Sequence, residues 1–278
     1  MTTIWSILLA ILIFGCIIAI HEFGHFIAAK QNGIQVNEFA IGMGPKIFCF
    51  QKGETLYSLR LFPIGGFCSM EGEDAESKNA RAFDQKPVWR RMIVVLAGAF
   101  MNLVLGFVLL IATTCSDPYL ISNTIHGFHE QATSNTCGLQ AGDTIVSLNG
   151  SHIFTITDLQ YKLSNESGEP FTVVVERDGK KVKLQDVTFR DQENNDWLDF
   201  SLEPQQKTVF HVLSYAAKDT VATGKLIWMS LTELVTGKYG IQDLSGPVGT
   251  VEVISNAATA GTTAAERISS VLHLTIFI

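Results

Sequence analysis

Residues 4–29, IWSILLAILIFGCIIAIHEFGHFIAA, decide the fold, because a stretch typical of a membrane span carries two histidines and a glutamate. No charged residue occurs from Ile4 to Ile20, and the apolar run resumes at Phe26. Ionisable groups inside a spanning helix cost several kcal/mol each, so they are retained mainly where they line a cavity, form a pair or bind a ligand. We therefore interpret this segment as a membrane helix with a functional site.

The pentapeptide His21-Glu22-Phe23-Gly24-His25 has the spacing of a metal site. Residues four apart lie on one face of a helix, so His21 and His25 can offer two imidazole nitrogens to one ion. Glu22 lies about 100° around the helix axis from His21. It can therefore act as a base on a water molecule beside the ion, as in zinc-dependent peptide hydrolysis. A chance match is the alternative, and the apolar surroundings argue against it.

The composition indicates a membrane protein and excludes some functions. Hydrophobic residues make up 47% of the 278 residues and charged residues only 17%, whereas soluble proteins have about a quarter charged residues. The net charge of −7, without a basic tail, argues against nucleic acid as a partner. The five cysteines form no C-x-x-C pair, so neither a metal knuckle nor a disulfide framework is expected. Cys115 and Cys137 could pair, but we expect two separate thiols.

The apolar segments predict a polytopic α-helical membrane protein with two complete transmembrane helices and the start of a third. Each complete span is long enough to cross about 30 Å of hydrocarbon. A signal peptide is not expected, because the first segment has no basic start and no small-residue cleavage site. The predicted segments are a first span (1–30), a loop with a membrane-associated β-ribbon (31–91), a second span (92–115), a folded domain (119–204), amphipathic helices (207–266) and the beginning of a third span (267–278).

Basic residues predict the orientation of the spans in the membrane. Four of them flank the loop between the first two spans, whereas no basic residue occurs between Cys115 and Lys162. This loop is therefore expected on the cytoplasmic side, with the N-terminus and residues 119–204 outside. His21 lies about 27 Å along the helix from Thr3, which places the metal site toward the cytoplasmic end of the span. The four residues are Lys30, Lys86, Arg90 and Arg91.

The loop between the spans contains short segments with strand character. They cover 36–41, 46–51 and 55–62 and are rich in apolar and aromatic residues. Such a ribbon beside the first helix could bind an extended substrate by strand addition, through main-chain hydrogen bonds. The alternative is an amphipathic cap over the membrane face. The glycines that punctuate the ribbon, and are tentative substrate-binding residues, are Gly42, Gly44, Gly65 and Gly66.

Five motifs in the first part of the chain resemble those of the site-2 protease family, peptidase M50. The closest branch is the bacterial RseP-type group, which cleaves membrane-spanning anti-sigma factors. Many members have Gly-Pro where this chain has Gly98-Ala99. The motifs are H-E-F-G-H (21–25), I-G-M-G-P (41–45), F-P-I-G-G-F (62–67), M-E-G-E (70–73) and A-G-A-F-M-N (97–102).

The resemblance implies an intramembrane zinc metalloendopeptidase of the bacterial cell membrane. One zinc ion would be held by His21 and His25, with Glu22 as the catalytic base. The substrates would be single-span membrane proteins, such as anti-sigma factors or remnant signal peptides, cleaved within the membrane plane. A substrate helix must unwind locally, because its main chain is hydrogen-bonded within the helix.

Residues 119–204 resemble a PDZ domain inserted between spans, an α+β fold on the extracytoplasmic side. The resemblance rests on a turn formed by Gly138, Leu139, Gly142 and Asp143. A helix is predicted at 155–165, and strands at 171–176 and 182–189 around the Asp178-Gly179 turn. A PDZ groove binds a peptide end or an extended segment. Here it would sense a cut peptide tail or exclude bulky ectodomains, which is a regulatory role.

Within the segment 207–266, residues 207–238 have helical periodicity that Lys218, Asp219 and Lys225 interrupt. This pattern is typical of a helix that lies in the membrane interface, in contact with the lipid bilayer, rather than crossing it. Trp228 suits that depth. The motif L-S-G-P-V-G (244–249) resembles the family segment that precedes its third core helix.

The third zinc ligand is missing from the sequence. Catalytic zinc takes three protein ligands and a water, and in this family the third is an Asp in an N-x-x-P-x-x-x-L-D-G pattern on the third core helix. No Asp follows Asp243, and neither Asp243 nor His273 is a good substitute. We therefore expect the third ligand beyond Ile278, in a longer protease. The alternative is an inactive fragment or pseudo-protease that binds membrane proteins through its PDZ domain. The other histidines are scattered, without ligand spacing: His126, His129, His152 and His211.

Overall fold

A computed structural model gives the fold as two compact units. The first comprises Met1–Leu109 with Ser245–Ile278, and the second Leu110–Leu244. Each unit is described by itself. The structure describes residues 3–117, 119–130, 132–165, 170–189, 198–237, 249, 253–254, 256–257 and 264–277.

Two long apolar helices dominate the first unit. Helix α1 covers Thr3–Gln31 and helix α2 Val88–Ser116, the last turns of α2 belonging to the second unit. Each has 29 residues and is about 43 Å long. Helix α2 begins directly after Pro87, a residue that favours the first turn of a helix. Ile7–Gln31 and Val88–Ser116 are long and apolar enough to cross a membrane.

The helices approach closely where glycine replaces a side chain. A Cβ atom on Gly24 of α1 would lie 2.4 Å from the carbonyl oxygen of Ala97 and 2.7 Å from Cγ of Met101, both on α2. Small residues at such crossings let two backbones pack without a gap, a common device in membrane helices. The crossing therefore fixes α1 and α2 against each other at the depth of the histidines.

The segment between α1 and α2 forms a folded ribbon of two long strands. Strand β1 covers Val36–Lys52 and β2 covers Thr55–Met70. Residues 36–41 lie opposite residues 66–70 on one side and opposite 56–59 on the other, while 46–52 lie opposite 55–60. Each strand therefore bends back, and the ribbon has four rows. The fourth row, 66–70, forms an edge and was not predicted.

A small apolar core joins the ribbon to the helices. Phe26 and Phe39 pack against it, with ring centroids 5.3 Å apart. The chain that follows β2 is attached by main-chain bonds, since Gln35 accepts a hydrogen bond from Glu71 and donates one to Arg81. The buried core residues are Ala28, Ala29, Ile34, Val36, Cys68, Met70 and Val94.

The second unit is an α+β domain. Its sheet has the strand order β7-β6-β4-β3-β8, with the short strand β5 paired to β4. The strands are β3 (Leu120–Phe128), β4 (Thr144–Leu148), β5 (Ser151–His152), β6 (Phe171–Arg177), β7 (Lys180–Val187) and β8 (Phe200–Gln205), and the helices are α3 (Ile156–Asn165) and α4 (Val209–Val235). Buried apolar residues from β3, β4, α3, β6, β7 and β8 form one core, which includes Ile125, Leu148, Leu159, Val173 and Phe200.

Helix α4 is continuous across the three charged residues of its sequence pattern, and two of them are hydrogen-bonded at α3. Asp219 accepts hydrogen bonds from the hydroxyls of Thr155 and Thr157 at 2.7 and 2.9 Å. Lys225 donates to the carboxylate of Asp158 at 3.0 Å. Asp219 and Lys225 therefore attach α4 to the domain, whereas Lys218 is exposed.

The last described helix, α5, covers Ala264–Phe277 and contains the predicted start of the third span. Asp243 and all of the L-S-G-P-V-G motif except Gly249 lie outside the described residues. Cys115 and Cys137 are both free thiols.

Candidate functional site

The two histidines of the pentapeptide converge in the structure. His21 and His25 follow each other by one turn of α1, and their Nε2 atoms are 3.2 Å apart. The rings meet edge to face, with centroids 4.8 Å apart. One face of α1 therefore directs two ring nitrogens at a common point, as the spacing predicts.

The main chain of α2 fixes the proton of His25. Nδ1 of His25 lies 2.7 Å from the carbonyl oxygen of Val94. Because a carbonyl oxygen only accepts hydrogen bonds, Nδ1 carries the ring proton and donates it. The Nε2 of neutral His25 is thereby left with a lone pair directed at His21. A partner of this kind at the far nitrogen is the usual way in which proteins orient a histidine ligand.

Asn102 occupies the corresponding place beside His21. Its Nδ2 lies 3.3 Å from Nδ1 of His21. The Oδ1 atom of the same amide is buried and has no hydrogen-bond partner within the described part of the chain. Sequence reasoning included Asn102 in a family motif but gave it no role.

Gly98 leaves the space that the imidazoles occupy. A Cβ atom there would lie 2.4 Å from Nε2 of His25 and 2.6 Å from Nε2 of His21. Any side chain at this position would displace the rings. Gly98 is thus required by packing at the point where the two nitrogens meet.

The geometry fits two of the ligands of a zinc ion. Two ligands of a tetrahedral zinc, each about 2.0–2.1 Å from the metal, lie about 3.3 Å apart, close to the 3.2 Å between the Nε2 atoms. Among the residues that the structure describes, no group of three His, Cys, Asp or Glu side chains could hold a metal. Within the described residues, the two histidine nitrogens are therefore the pair whose spacing fits a zinc ion.

An open cleft of about 590 Å³ lies beside the histidines. Glu22 and His25 line it from α1, and the edge row of the ribbon lines it through Phe67, Cys68, Ser69 and Met70. A Cβ atom on Gly66 would lie 3.4 Å from Cγ of Glu22. The ribbon edge is thus in contact with the predicted base.

Glu73, which the sequence analysis includes in the motif M-E-G-E without a role, is a further acidic residue of this cleft. The residue is exposed as a whole, but its carboxylate accepts a hydrogen bond from the main-chain N–H of Met70 at 3.3 Å. Burial in the cleft raises the pKa of Glu73, and the nearby Asp74 and Glu22 act in the same direction. Its position as the last residue of M-E-G-E is the one signal in the sequence that points to it.

The other predicted ribbon glycines do not share this position. Gly42 approaches the main chain of Phe62 and Arg60, and Gly44 lies against the ring of Phe62. Gly65 packs on Met43. Of the four glycines, Gly66 is the one whose nearest neighbours include Glu22.

The four residues of the predicted PDZ turn are held in the second unit by backbone conformation, burial and an ion pair. Gly138 and Gly142 adopt positive φ angles of 100° and 89°, which favour glycine. Leu139 is buried in the core. Asp143 is fully buried and accepts hydrogen bonds from Arg177 through both carboxylate oxygens, each at 2.7 Å. The turn is thus locked to strand β6.

The comparison with known proteins gives one family and several relatives. Residues 9–278 match the model of peptidase family M50. A protein of Clostridium acetobutylicum named a zinc metalloprotease is 36% identical over 92% of this chain and 76% of its own length. A zinc metalloprotease of Clostridium perfringens is 34% identical over the same shares. The regulator of sigma-W protease RasP of Bacillus subtilis is 28% identical over 92% of this chain and 81% of its own length.

Proposed function

This chain belongs to peptidase family M50, the site-2 proteases, and on that premise we propose that it is an intramembrane zinc endopeptidase. The observation that carries the proposal is the convergence of the His21 and His25 Nε2 atoms, 3.2 Å apart beside the Glu22 cleft. The zinc follows from the names of the relatives and from the fit of the two nitrogens. Two apolar helices and the family support a location in the membrane.

The proposed chemistry assigns one role to each residue. His21 and His25 would hold one zinc ion through their Nε2 atoms. When bound, zinc acts as a Lewis acid that polarises the scissile carbonyl and lowers the pKa of a water. The Glu22 carboxylate takes a proton from that water and delivers it to the departing amide nitrogen. Because Glu22 lines the open cleft, its carboxylate can reach both the water and the amide nitrogen of a bound substrate.

The ribbon edge is the proposed substrate site. Row 66–70 has row 36–41 on one side, and its residues 67–70 line the cleft beside Glu22. An extended substrate segment could therefore pair with its main chain while the scissile bond approaches Glu22. The segment must first leave its helix, since a helix occupies its own backbone groups. Single-span proteins such as anti-sigma factors are the proposed substrates, because a relative is named a regulator of sigma-W protease.

Replacement of Glu22 by Gln tests the assigned roles. Glu22→Gln is expected to keep bound zinc but to lose cleavage of a single-span substrate by about 100-fold or more, because the amide cannot accept the proton. Metal content and cleavage are measured on the same purified protein, with the exposed Glu76→Gln as a control. Undiminished cleavage would remove Glu22 as the base.

The orientation of the site is a second part of the proposal. We propose a cytoplasmic location for residues 31–91 and an outer location for residues 119–204, because of the basic residues around the first of these segments. A cysteine placed at exposed Lys78, with the five native cysteines replaced, should resist an impermeant thiol reagent applied to intact cells. Labelling from outside would overturn the orientation.

Residues 119–204 are proposed to act as a PDZ domain that binds a peptide tail or excludes an ectodomain. Strand β8 is the last strand of the described sheet order, so its outer edge can accept a peptide strand. A photoreactive side chain at exposed Ser201 on β8 should crosslink a peptide that ends like a cut substrate. Crosslinking no stronger than from exposed Glu130 would contradict this assignment.

Helix α4 is proposed to lie in the lipid–water interface on the extracytoplasmic side of the cell membrane. Its buried residues face α3, whereas Phe210, Trp228 and Val235 are 76%, 69% and 87% exposed. Lys207 supports this position, because it donates hydrogen bonds to the carbonyls of Cys115 and Asp117 at the end of α2. Brominated lipids should quench Trp228 fluorescence once the other three tryptophans are replaced, and unquenched emission would refute contact with the bilayer.

A pseudo-protease remains the second candidate function, because the described residues supply only two ligands. It predicts that membrane proteins bind at the ribbon and at residues 119–204 without being cut. The coding sequence beyond Ile278 discriminates: an apolar segment with an Asp favours the protease, and an authentic stop codon favours the binding protein.

A further inference from the structure

The amide of Asn102 lies beside His21, and the proposed chemistry gives it no role. It extends from α2 toward Nδ1 of His21, 3.3 Å away, on the side of the ring opposite His25. The residues are 81 positions apart in the chain, so the contact depends on the crossing of α1 and α2. What Asn102 does there follows from counting the protons on the two rings.

The carbonyl of Val94 keeps the proton of His25 on Nδ1, so the Nε2 of neutral His25 has a lone pair. The amide of Asn102 faces Nδ1 of His21 at 3.3 Å, and its other polar atom is buried without a hydrogen-bond partner within the described residues. The two orientations of an amide have the same shape, so the proton of His21 decides which amide atom faces the ring.

A metal ion would fix the tautomer of His21. Both Nε2 atoms must present lone pairs to the ion, so the proton of neutral His21 has to lie on Nδ1. The atom that faces Nδ1 must then be an acceptor. Asn102 can provide one, because rotation of its amide by 180° exchanges Nδ2 and Oδ1 at nearly the same position, and the two orientations have the same shape.

We propose that Asn102 is the positioning residue of His21 and that its amide oxygen faces Nδ1 of the ring when zinc is bound. In that orientation Asn102 accepts the Nδ1 proton and holds His21 in the tautomer that binds the ion. Asp has nearly the same size and also offers an acceptor there, whereas Leu offers none. The inference rests on the proposed zinc site.

The test is the zinc affinity of the purified protein, measured by competition with a chelator. Loss of such an outer partner typically costs about 10–100-fold in metal affinity. Asn102→Leu should therefore weaken zinc by that factor and alter the absorption spectrum of bound cobalt. Asn102→Asp keeps an acceptor oxygen opposite Nδ1 and should retain affinity near that of the unmodified protein. Thr113→Val removes a buried hydroxyl from the same helix and should change neither the zinc affinity nor the cobalt spectrum.

The possible outcomes separate this inference from the proposed function. If the unmodified protein binds no zinc, the proposed function fails. If it binds zinc and Asn102→Leu binds equally well, Asn102 has no positioning role. Equal weakening in Asn102→Leu and Asn102→Asp would make Asn102 a packing residue and overturn the inference. Should Asn102→Leu fail to fold, Asn102→Ala removes the same polar atoms with less bulk and carries the same expectation.

Discussion

The buried carboxylates of the second unit and the candidate site residues of the first unit have opposite surroundings. In the second unit, the buried carboxylates accept hydrogen bonds from groups of the same unit: Asp199, for example, accepts from the main chain of Thr133 and from both the main chain and the hydroxyl of Ser134. In the first unit, Glu22 opens on a cleft, and the lone pairs of His21 and His25 converge on one point. The buried carboxylates of the second unit are Asp143, Asp158, Asp199 and Asp219.

This difference separates stabilising polar groups from ligand-binding ones. A buried group whose partners all lie within the protein adds stability and needs nothing else. A group whose free lone pairs point at a shared space costs free energy until a ligand arrives. We therefore expect substitutions in the second unit to change unfolding and substitutions at the α1–α2 crossing to change metal binding.

The largest effect is expected at the crossing. Gly98→Ala places a methyl group 2.4 Å from Nε2 of His25 and 2.6 Å from Nε2 of His21, so the rings must separate. Zinc affinity and cleavage should each fall by about 100-fold or more, since both ligands lose their position. Gly106→Ala is a matched control on the same helix, because a Cβ atom there meets nothing within 4 Å. Equal zinc binding by the two variants would show that the glycine is not required.

An intermediate effect, on stability alone, is expected in the second unit. Asp143→Ala leaves Arg177 without its carboxylate partner and Gln140 without the acceptor of its main-chain N–H. Breaking a pair whose acid is fully buried should cost about 3 kcal/mol. This loss of stability is measured on the whole protein by its susceptibility to proteolysis at increasing urea concentrations. Exposed Glu130→Ala is the control. A fall in zinc affinity without loss of stability would contradict the division between the units.

The smallest effect concerns a surface cluster of the first unit. Hydrogen bonds from Arg81 and then Lys30 lower the pKa of Glu54 from 4.5 to about 2. Because the folded pKa lies below the unfolded one, the stabilisation is present above about pH 4.5 and is lost as the pH falls toward 2. The carboxylate is 29% exposed, so we expect no more than about 1 kcal/mol.

Unfolding of Glu54→Gln and of the unmodified protein at pH 6 and pH 3 measures this difference. The control, exposed Glu76→Gln, should unfold with the same stability as the unmodified protein at both pH values. A gap between Glu54→Gln and the unmodified protein that widens at pH 3 would reverse the expected sign.

The sequence predicts local features of this molecule well and distant contacts poorly. The spacing of His21 and His25 places both on one helix face, and the long apolar runs coincide with helices α1 and α2. Three ribbon rows follow from apolar and aromatic segments, but the edge row 66–70 depends on a register that only the folded ribbon defines. Local periodicity carries no information about such pairings.

The remaining site residues and charges illustrate the same limit. Asn102 meets His21 from 81 residues away, and nothing in its own neighbourhood marks it as a partner. Asp219 and Lys225 break the apolar pattern of α4, yet their partners on α3 make them part of the domain. A charge in an apolar pattern has two explanations, exposure or a partner, and the sequence does not choose between them.

The crossing at Gly24 and Gly98 also has a consequence for protein engineering. The carbonyl of Val94, the empty space of Gly98 and the amide of Asn102 all belong to α2, although the metal-binding nitrogens belong to α1. The transferable module is therefore the helix pair. A graft of the H-E-x-x-H helix alone into a designed membrane bundle would supply the two histidines. It would lack the groups of α2 that fix their tautomers and the space at glycine that accommodates their rings.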